Sequence, residues 1–387
     1  MSYQICIECN QRYDLDDIIY YCGCSGLIEV KHELDASLRW HDKVSCHPGL
    51  DPGSSKSGVW RFHQAVLPIA KPEQIISHPE GHTRLYQRDI LSKWAGVNEL
   101  YLKHEGENPT GSFKDRGMTV AVTQANRLGQ KSLACASTGN TSASLAAYGA
   151  QAGIKTLVFL PKGKVAPSKL GQAIAYGAEL KEIEGDFDAA MAQVLEASKE
   201  QGLYLVNSIN PFRIEGQKTI MWELFEQLDW QVPDWVIVPG GNLGNTSAFG
   251  KAIGEAFEAG WIKSKPRIAV IQAEGANPFY QSFKQGFKDL KPVKANTRAT
   301  AINIGQPVNY SKAKRIIKAL NGLVEEVSDA QIKEAKAQID QSGIGCEPAS
   351  AATLAGLKKL VLAKEIKAKE SVALILTGNI LKDPVMD

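Results

Sequence analysis

The stretch LACASTGNTSASLAAYGAQAG, residues 133 to 153, reads as a strand, a turn and a helix in immediate succession. Leu133 to Ala136 is an apolar run, Ser137-Thr138-Gly139-Asn140 breaks it, and TSASLAAYGAQAG has the composition of a helix. TLVFL at 156 to 160 is the next strand, followed by Pro and Gly punctuation and the helical PSKLGQAIAYGA. Glu179 to Ile183, the helical DFDAAMAQVLEASKEQ and Leu203 to Val206 extend the alternation. Strands alternating with helices of this length imply βαβ crossovers and a parallel sheet.

Working outward, a second series follows. Trp235-Val-Ile-Val238 is a continuous apolar strand of the kind buried on both faces. It enters Pro239-Gly-Gly-Asn-Leu-Gly-Asn245 and the helical TSAFGKAIGEAFEAGW, and Arg267 to Gln272 supplies the next strand. Residues 283 to 311, rich in Lys, Asn and Gly, read as an exposed loop region. Ser328-Asp-Ala-Gln331 is a capping-box pattern. Pro348 opens PASAATLAGLKKLVLA at a position where its missing N–H costs nothing. Ser371 to Leu376 is a last buried strand, running into Thr377-Gly-Asn379. The fold class is therefore α/β, with two parallel-sheet domains preceded by an N-terminal appendage.

Composition narrows the class of partner. The chain has 387 residues, and 44 Lys and Arg against 42 Asp and Glu leave a net charge of +2. That balance argues against the basic footprint of a nucleic-acid binder. No apolar run approaches the roughly 18 residues of a membrane span. The opening MSYQICIECN carries Cys and Glu where a signal peptide needs an apolar core. A soluble, cytoplasmic protein is the expectation, with neither nucleic acid nor membrane as partner.

Seven cysteines, an odd number, are spread over a long chain, which argues against a disulfide framework. Cys46, Cys135 and Cys346 are scattered, whereas Cys6, Cys9, Cys22 and Cys24 cluster at the start. Cys6-x-x-Cys9 followed by Cys22-Gly-Cys24 is a shortened form of a zinc-ribbon pattern. Because the second pair is one residue tighter than the usual knuckle, the spacing favours a small β-hairpin module without metal over a zinc site.

Three segments share one layout, a buried strand running into a Gly, Asn, Ser or Thr turn: STGNT at 137 to 141, GGNLGN at 240 to 245 and TGN at 377 to 379. In open parallel sheets ligands bind beyond the carboxyl ends of the strands. GGNLGN suits a phosphate, since glycines let the backbone approach an anion at a helix N-terminus. It lacks the dinucleotide and Walker spacings, and a tight ligand-free turn is the plain alternative. STGNT suits a carboxylate, against simple N-capping by Ser137 or Thr138. In Glu107-Asn-Pro-Thr-Gly-Ser-Phe-Lys114-Asp-Arg-Gly117, turn formers place Lys114 at a helix start, where the dipole disfavours a cation. A lysine so placed can form a Schiff base with a carbonyl, although most lysines are simply solvated.

These residues match a known family. ENPTGSFKDRGM resembles the cofactor-lysine segment of the threonine synthase family, within the fold type II, tryptophan synthase β-like enzymes that use pyridoxal 5'-phosphate. The likeness continues through SGVWRFHQAVLP at 57 to 68, STGNTSAS, VNSINPFRIEGQKT at 206 to 219, PGGNLGNTSAFG, GCEPASAA at 345 to 352 and LTGNILKDP at 376 to 384. It departs at Glu80-Gly-His-Thr-Arg-Leu85, where the family usually shows Glu-Gly-Asn-Thr-Pro-Leu, and at the shortened second Cys pair.

The resemblance implies a Cys-rich module over 1 to 55, a large cofactor-binding domain over 56 to 130 and 208 to 387, and a small mobile α/β domain over 131 to 207. Lys114 would hold the cofactor as a Schiff base and serve as catalytic base and acid. Asn140 would bond the phenolate oxygen. Gly241, Asn242, Leu243, Gly244 and Asn245 would cradle the phosphate, and Thr377 would face the ring nitrogen. Ser137, Thr138 and Thr141 would hold a substrate carboxylate. Asn207, Ser208 and Arg213, with Lys218 in a lesser role, would clamp a substrate phosphate, Arg213 being free for this unless it pairs with Glu215 or Glu223. The implied reaction is γ-elimination of phosphate from O-phospho-L-homoserine and addition of water at Cβ to give L-threonine, in a homodimer. Cysteate synthase and threonine dehydratase are the alternatives within the same fold.

Overall fold

The computed structural model describes residues 2–34, 57–163, 167–185 and 187–383, and the side chains of 167–169, 187 and 188 are left aside. Cys46, residues 35–55 of the expected N-terminal module and Pro384 lie outside the described residues.

The strands, in chain order, are β1 Ser2–Cys6, β2 Arg12–Tyr13, β3 Ile28–His32, β4 Leu85–Tyr86, β5 Glu99–His104, β6 Ser132–Ala136, β7 Lys155–Pro161, β8 Glu179–Ile183, β9 Tyr204–Leu205, β10 Trp235–Pro239, β11 Arg267–Ala273, β12 Leu323–Val327 and β13 Ser371–Leu376. They form three sheets, ordered β2-β1-β3, β8-β7-β6-β9 and β12-β11-β10-β13-β5-β4. The first is antiparallel, the second wholly parallel, and the third parallel except for β4 at its edge.

The chain divides into two compact units. One comprises Met1–His82, Asn108–Thr110 and Lys114–Thr219, and the other Thr83–Glu107, Gly111–Phe113 and Ile220–Asp387. This division differs from the expected segments, since the three-stranded sheet and the helix Lys114–Arg127 group with the four-stranded sheet. Gln124 of that helix donates to the Leu15 carbonyl at 2.7 Å, and Tyr20 accepts the Leu205 N–H at 2.8 Å.

In the first unit, β6 and β7 bury Leu133 to Ala136 and Val158, as an apolar parallel run requires. Glu80, in the segment that departs from the family pattern, is fully buried and accepts from Ser57, Ser77, the His78 N–H and Tyr148. In the second unit, one apolar cluster runs from Leu100 and Leu102 on β5 through Trp235 and Ile237 on β10 to Leu374 and Leu376 on β13. The helix Pro348–Leu362 packs on it through Ala351, Leu354 and Leu357. Pro348 takes the first helical position and Ser328 forms the expected capping box with Gln331.

Residues 283 to 311 are not the open loop the composition suggested. They are largely irregular in backbone, yet Phe287, Ala299, Ile302 and Asn309 are buried. Gly275 and Gly305 allow this, for a Cβ on either would meet the Asn296 or Val293 carbonyl at about 2 Å.

Candidate functional site

In the first unit, Lys114 is the opening residue of the helix Lys114–Arg127, the placement its turn-rich approach predicts. The turn is fixed from behind by Asp115, which is fully buried and accepts the Thr110 N–H at 2.7 Å, the Thr110 hydroxyl at 2.6 Å and the Ser144 hydroxyl at 2.6 Å. Burial is the largest influence on this carboxyl and pushes it up to about 6, against the pull of those three hydrogen bonds.

Ser137, Thr138 and Gly139 form the turn after β6, and Asn140 and Thr141 open the helix Asn140–Ala152. Neither Ser137 nor Thr138 caps that helix. Gly139 occupies the cap position without a side-chain cap bond, and Ser137 Oγ accepts the Gly139 N–H at 3.3 Å instead. The uncapped first turn keeps N–H groups available to an anion. Among the described residues, nothing lies within 4 Å of a Cβ placed on Gly139, which leaves open space beside the turn.

Asn207, just past β9, is buried and pairs with Ala136, accepting its N–H and donating to its carbonyl, each at 2.9 Å. Its amide therefore braces the end of β6 and has one N–H left for a ligand. Ser208 beside it is half-buried. Arg213 is 1% exposed. Its Nη1 donates to the Val206 carbonyl at 3.2 Å, while Nε and Nη2 have no hydrogen-bond partner among the described residues. Burial pulls the guanidinium down to about 10, which leaves it charged at neutral pH.

The ion-pair alternatives for Arg213 are taken by other partners. Glu215 lies 2.5 Å from Lys218 and 2.9 Å from His32, and Glu223 lies 2.6 Å from Lys103. Lys218, fully buried on Glu215, is engaged in that pair, so Arg213 is the better cation for an incoming anion.

In the second unit, Gly240 to Leu243 turn from β10 into the helix Gly244–Glu258, with Leu243 in the left-handed region at φ 62°. The cap residue, Leu243, makes no side-chain cap bond. Thr246, buried in its first turn, has a hydroxyl without a hydrogen-bond partner among the described residues. Gly240 is required by close approach, since a Cβ there would lie 2.6 Å from Val270 Cγ1. The Asn242 carbonyl accepts from the Asn309 N–H and side chain, each at 3.2 Å, which pins the turn, and Asn245 is buried at the helix start. Glycine backbone, an uncapped helix start and an orphaned hydroxyl together make an anion cradle.

Thr377 follows β13 and is buried. Its hydroxyl donates to Glu347 Oε1 at 2.9 Å and lies 3.0 Å from Ser350 Oγ, and its carbonyl accepts the Phe113 N–H at 3.0 Å. Lys114 is the next residue in the chain after Phe113. Glu347 and Ser350 escaped the residue-level reading, although GCEPASAA marked their segment. Nothing in the spacing says that a helix beginning at Pro348 brings a carboxylate onto Thr377.

A family model described as pyridoxal-phosphate dependent enzyme matches residues 76–378. The threonine synthase of Methanocaldococcus jannaschii is 50% identical over 383 residues, covering 98% of this chain and 93% of its own. The threonine synthase of Methanosarcina acetivorans is 45% identical, covering 98% of this chain and 92% of its own. Maize serine racemase superposes with a TM-score of 0.68 at 21% identity, over 86% of this chain and 94% of its own, a likeness of fold.

Proposed function

The chain belongs to the pyridoxal-phosphate-dependent enzymes and, among them, to the threonine synthase family, and from that premise we propose that it makes L-threonine from O-phospho-L-homoserine. The observation that carries the choice of substrate is Arg213, a buried cation with two unpartnered guanidinium nitrogens. A dehydratase substrate has no phosphate to meet it, whereas phosphohomoserine does.

The residues fit the cofactor. The 240–245 turn, with its uncapped helix and the orphaned Thr246 hydroxyl, suits a phosphate. The Asn140 side chain starts a helix beside open space, and Lys114 supplies an amine at a helix N-terminus. In this reading Lys114, Asn140, Gly241, Asn242, Leu243, Gly244, Asn245 and Thr377 hold it. When bound, pyridoxal phosphate supplies an electron sink conjugated to the substrate's Cα.

The chain's own residues do the rest. Ser137, Thr138 and Thr141 bind the substrate carboxylate at the uncapped turn. Arg213, with Ser208 and the remaining N–H of Asn207, binds the substrate phosphate, and the planar guanidinium suits two of its oxygens at once. Lys114, once its amine is released, takes the proton from Cα and then moves protons at Cβ. The Cγ–O bond breaks, inorganic phosphate leaves onto Arg213, and a proton is delivered to Cγ, which becomes the methyl group of the product. Water adds at Cβ, Lys114 returns the proton to Cα, and threonine departs. A homodimer in the cytoplasm is part of the same proposal. Its support is the family likeness.

The test is turnover of O-phosphohomoserine by the holoenzyme, read as stoichiometric phosphate and threonine, and its loss in Lys114→Ala. Phosphate release from O-phosphoserine in its place, or deamination of threonine without phosphate chemistry, would overturn the assignment.

A further inference from the structure

The proposed reaction uses none of the N-terminal cysteines. Cys6, Cys9, Cys22 and Cys24 nevertheless bring their four Sγ atoms within 4.8 Å of one another, the one such metal-competent group among the described residues. All four are free thiols. Cys6 to Cys24 and Cys9 to Cys22 are both 3.5 Å and both run between the two turns rather than within one. Four zinc–sulfur bonds of about 2.3 Å in a tetrahedron set the sulfurs roughly 3.8 Å apart, close to this spacing.

The backbone is arranged for thiolates. The Glu8 N–H points at Cys6 Sγ from 3.4 Å. Tyr13 adds its hydroxyl to Cys22 at 3.0 Å. Asn10 and Ser25, at φ 62° and 66°, turn the chain after each pair, and Gly26 leaves room for Cys6 Sγ, which a Cβ would approach to 2.5 Å. The tight second pair is therefore accommodated by Ser25 and Gly26 and does not splay the sulfurs.

The apolar core here is small, being Cys6, Cys22 and Ile28 with Tyr13 and Ile19 against them. With so small an apolar cluster around the thiols, a bound metal would add to the stability of this module. We propose that the four cysteines bind one structural zinc ion as a tetrathiolate. Four zinc–sulfur bonds form and the four thiol protons pass to solvent. The ion would sit at one end of β3, whose other end, His32, lies 2.9 Å from Glu215, two residues beyond Arg213. On the proposed function, which this last clause assumes, the metal is a distant brace for the helix that carries Arg213.

The test is metal content, which reads the site whatever the substrate proves to be. Full-length protein from zinc-supplemented medium, purified without chelator, is expected to hold about one zinc per chain by mass spectrometry. A thiol-blocking mercurial is expected to release that zinc to a chromogenic chelator. Cobalt exchanged into the wild type should show the intense visible bands of tetrahedral thiolate coordination. Cys9→Ser and Cys24→Ser, both at exposed positions, should lose most of the metal while keeping the cofactor's colour. Wild-type protein with only trace zinc and no cobalt bands, or with iron in place of zinc, would overturn the proposal.

Discussion

Arg213 Nη1 donates to the Val206 carbonyl at 3.2 Å, and among the described residues this is the only hydrogen bond of a guanidinium that is otherwise enclosed. A buried cation with two unused donors costs stability until an anion meets it. Arg213→Met is therefore expected to act in opposite directions on two measurements. The melting temperature without substrate should rise, while kcat/KM for O-phosphohomoserine should fall about a hundredfold, the equivalent of roughly 3 kcal/mol for charge-assisted hydrogen bonds. Inorganic phosphate should stabilise the wild type and leave the variant unmoved. A variant that melts lower and still responds to phosphate would show that Arg213 is a structural residue.

Thr377 has one hydroxyl proton and gives it to Glu347 at 2.9 Å, with Ser350 Oγ 3.0 Å away. Whatever Thr377 offers to a ring nitrogen is therefore set by Glu347. Replacing Glu347 with Ala releases that proton to other acceptors, so the visible absorption band of the bound cofactor should shift and kcat should drop with little change in KM. An unaltered spectrum would remove Thr377 from the neighbourhood of the ring.

The parts of this chain that were legible in its sequence are those where local chemistry and fold agree. Strands β6, β7, β10, β11 and β13 are apolar or β-prone runs bounded by turn formers, and their sequence bounds lie within a residue or two of the observed ones, as do those of the mixed run β8. Strand β5 was not identified, because Lys103 and His104 interrupt its pattern. It pairs in parallel with β13, and Lys103 Nζ is buried 2.6 Å from Glu223 and 2.7 Å from the Thr83 carbonyl, partners distant in sequence. Arg213 was legible as a candidate anion ligand, but its lack of a partner was not, since that depends on Glu215 choosing Lys218 and His32. Glu347 could be found only once the helix Pro348–Leu362 had been packed beside β13.

Gly216 and Arg116 bring two helix backbones together within the first unit. A Cβ on Gly216 would lie 1.7 Å from the Arg116 carbonyl oxygen, and one on Gly117 would lie 2.8 Å from the Arg213 carbonyl. Backbone cannot yield as a flexible side chain can, so Gly216→Ala should cost about 3 kcal/mol or more, seen as a large drop in melting temperature or loss of soluble protein. Gly254→Ala is the matched control. It lies within the helix Gly244–Glu258, and its Cβ would meet nothing within 4 Å. There the same substitution should stabilise by roughly 0.5 to 1 kcal/mol through helix propensity and a less flexible unfolded chain. Equal effects at the two positions would show that Gly216 is not the crossing point.

Asp115, next to Lys114, gives stability a pH dependence of definite sign. Burial raises its carboxyl from 3.8 to about 6 in the folded chain, so the folded state binds this proton more tightly than the unfolded one. The stability contributed by the protonated group is fully present below the unfolded value and is lost as pH rises through the folded one. Measured against Asp115→Asn by urea unfolding at several pH values, the wild type should lose roughly 3 kcal/mol between about pH 4 and pH 6, and little more above that. At neutral pH the charged carboxylate is held by Thr110 and Ser144, so the same substitution should also loosen the turn that presents Lys114. That loosening should appear as weaker cofactor retention. A wild type whose stability relative to the variant rises across pH 4 to 6 would mean that the three hydrogen bonds, and not burial, govern Asp115.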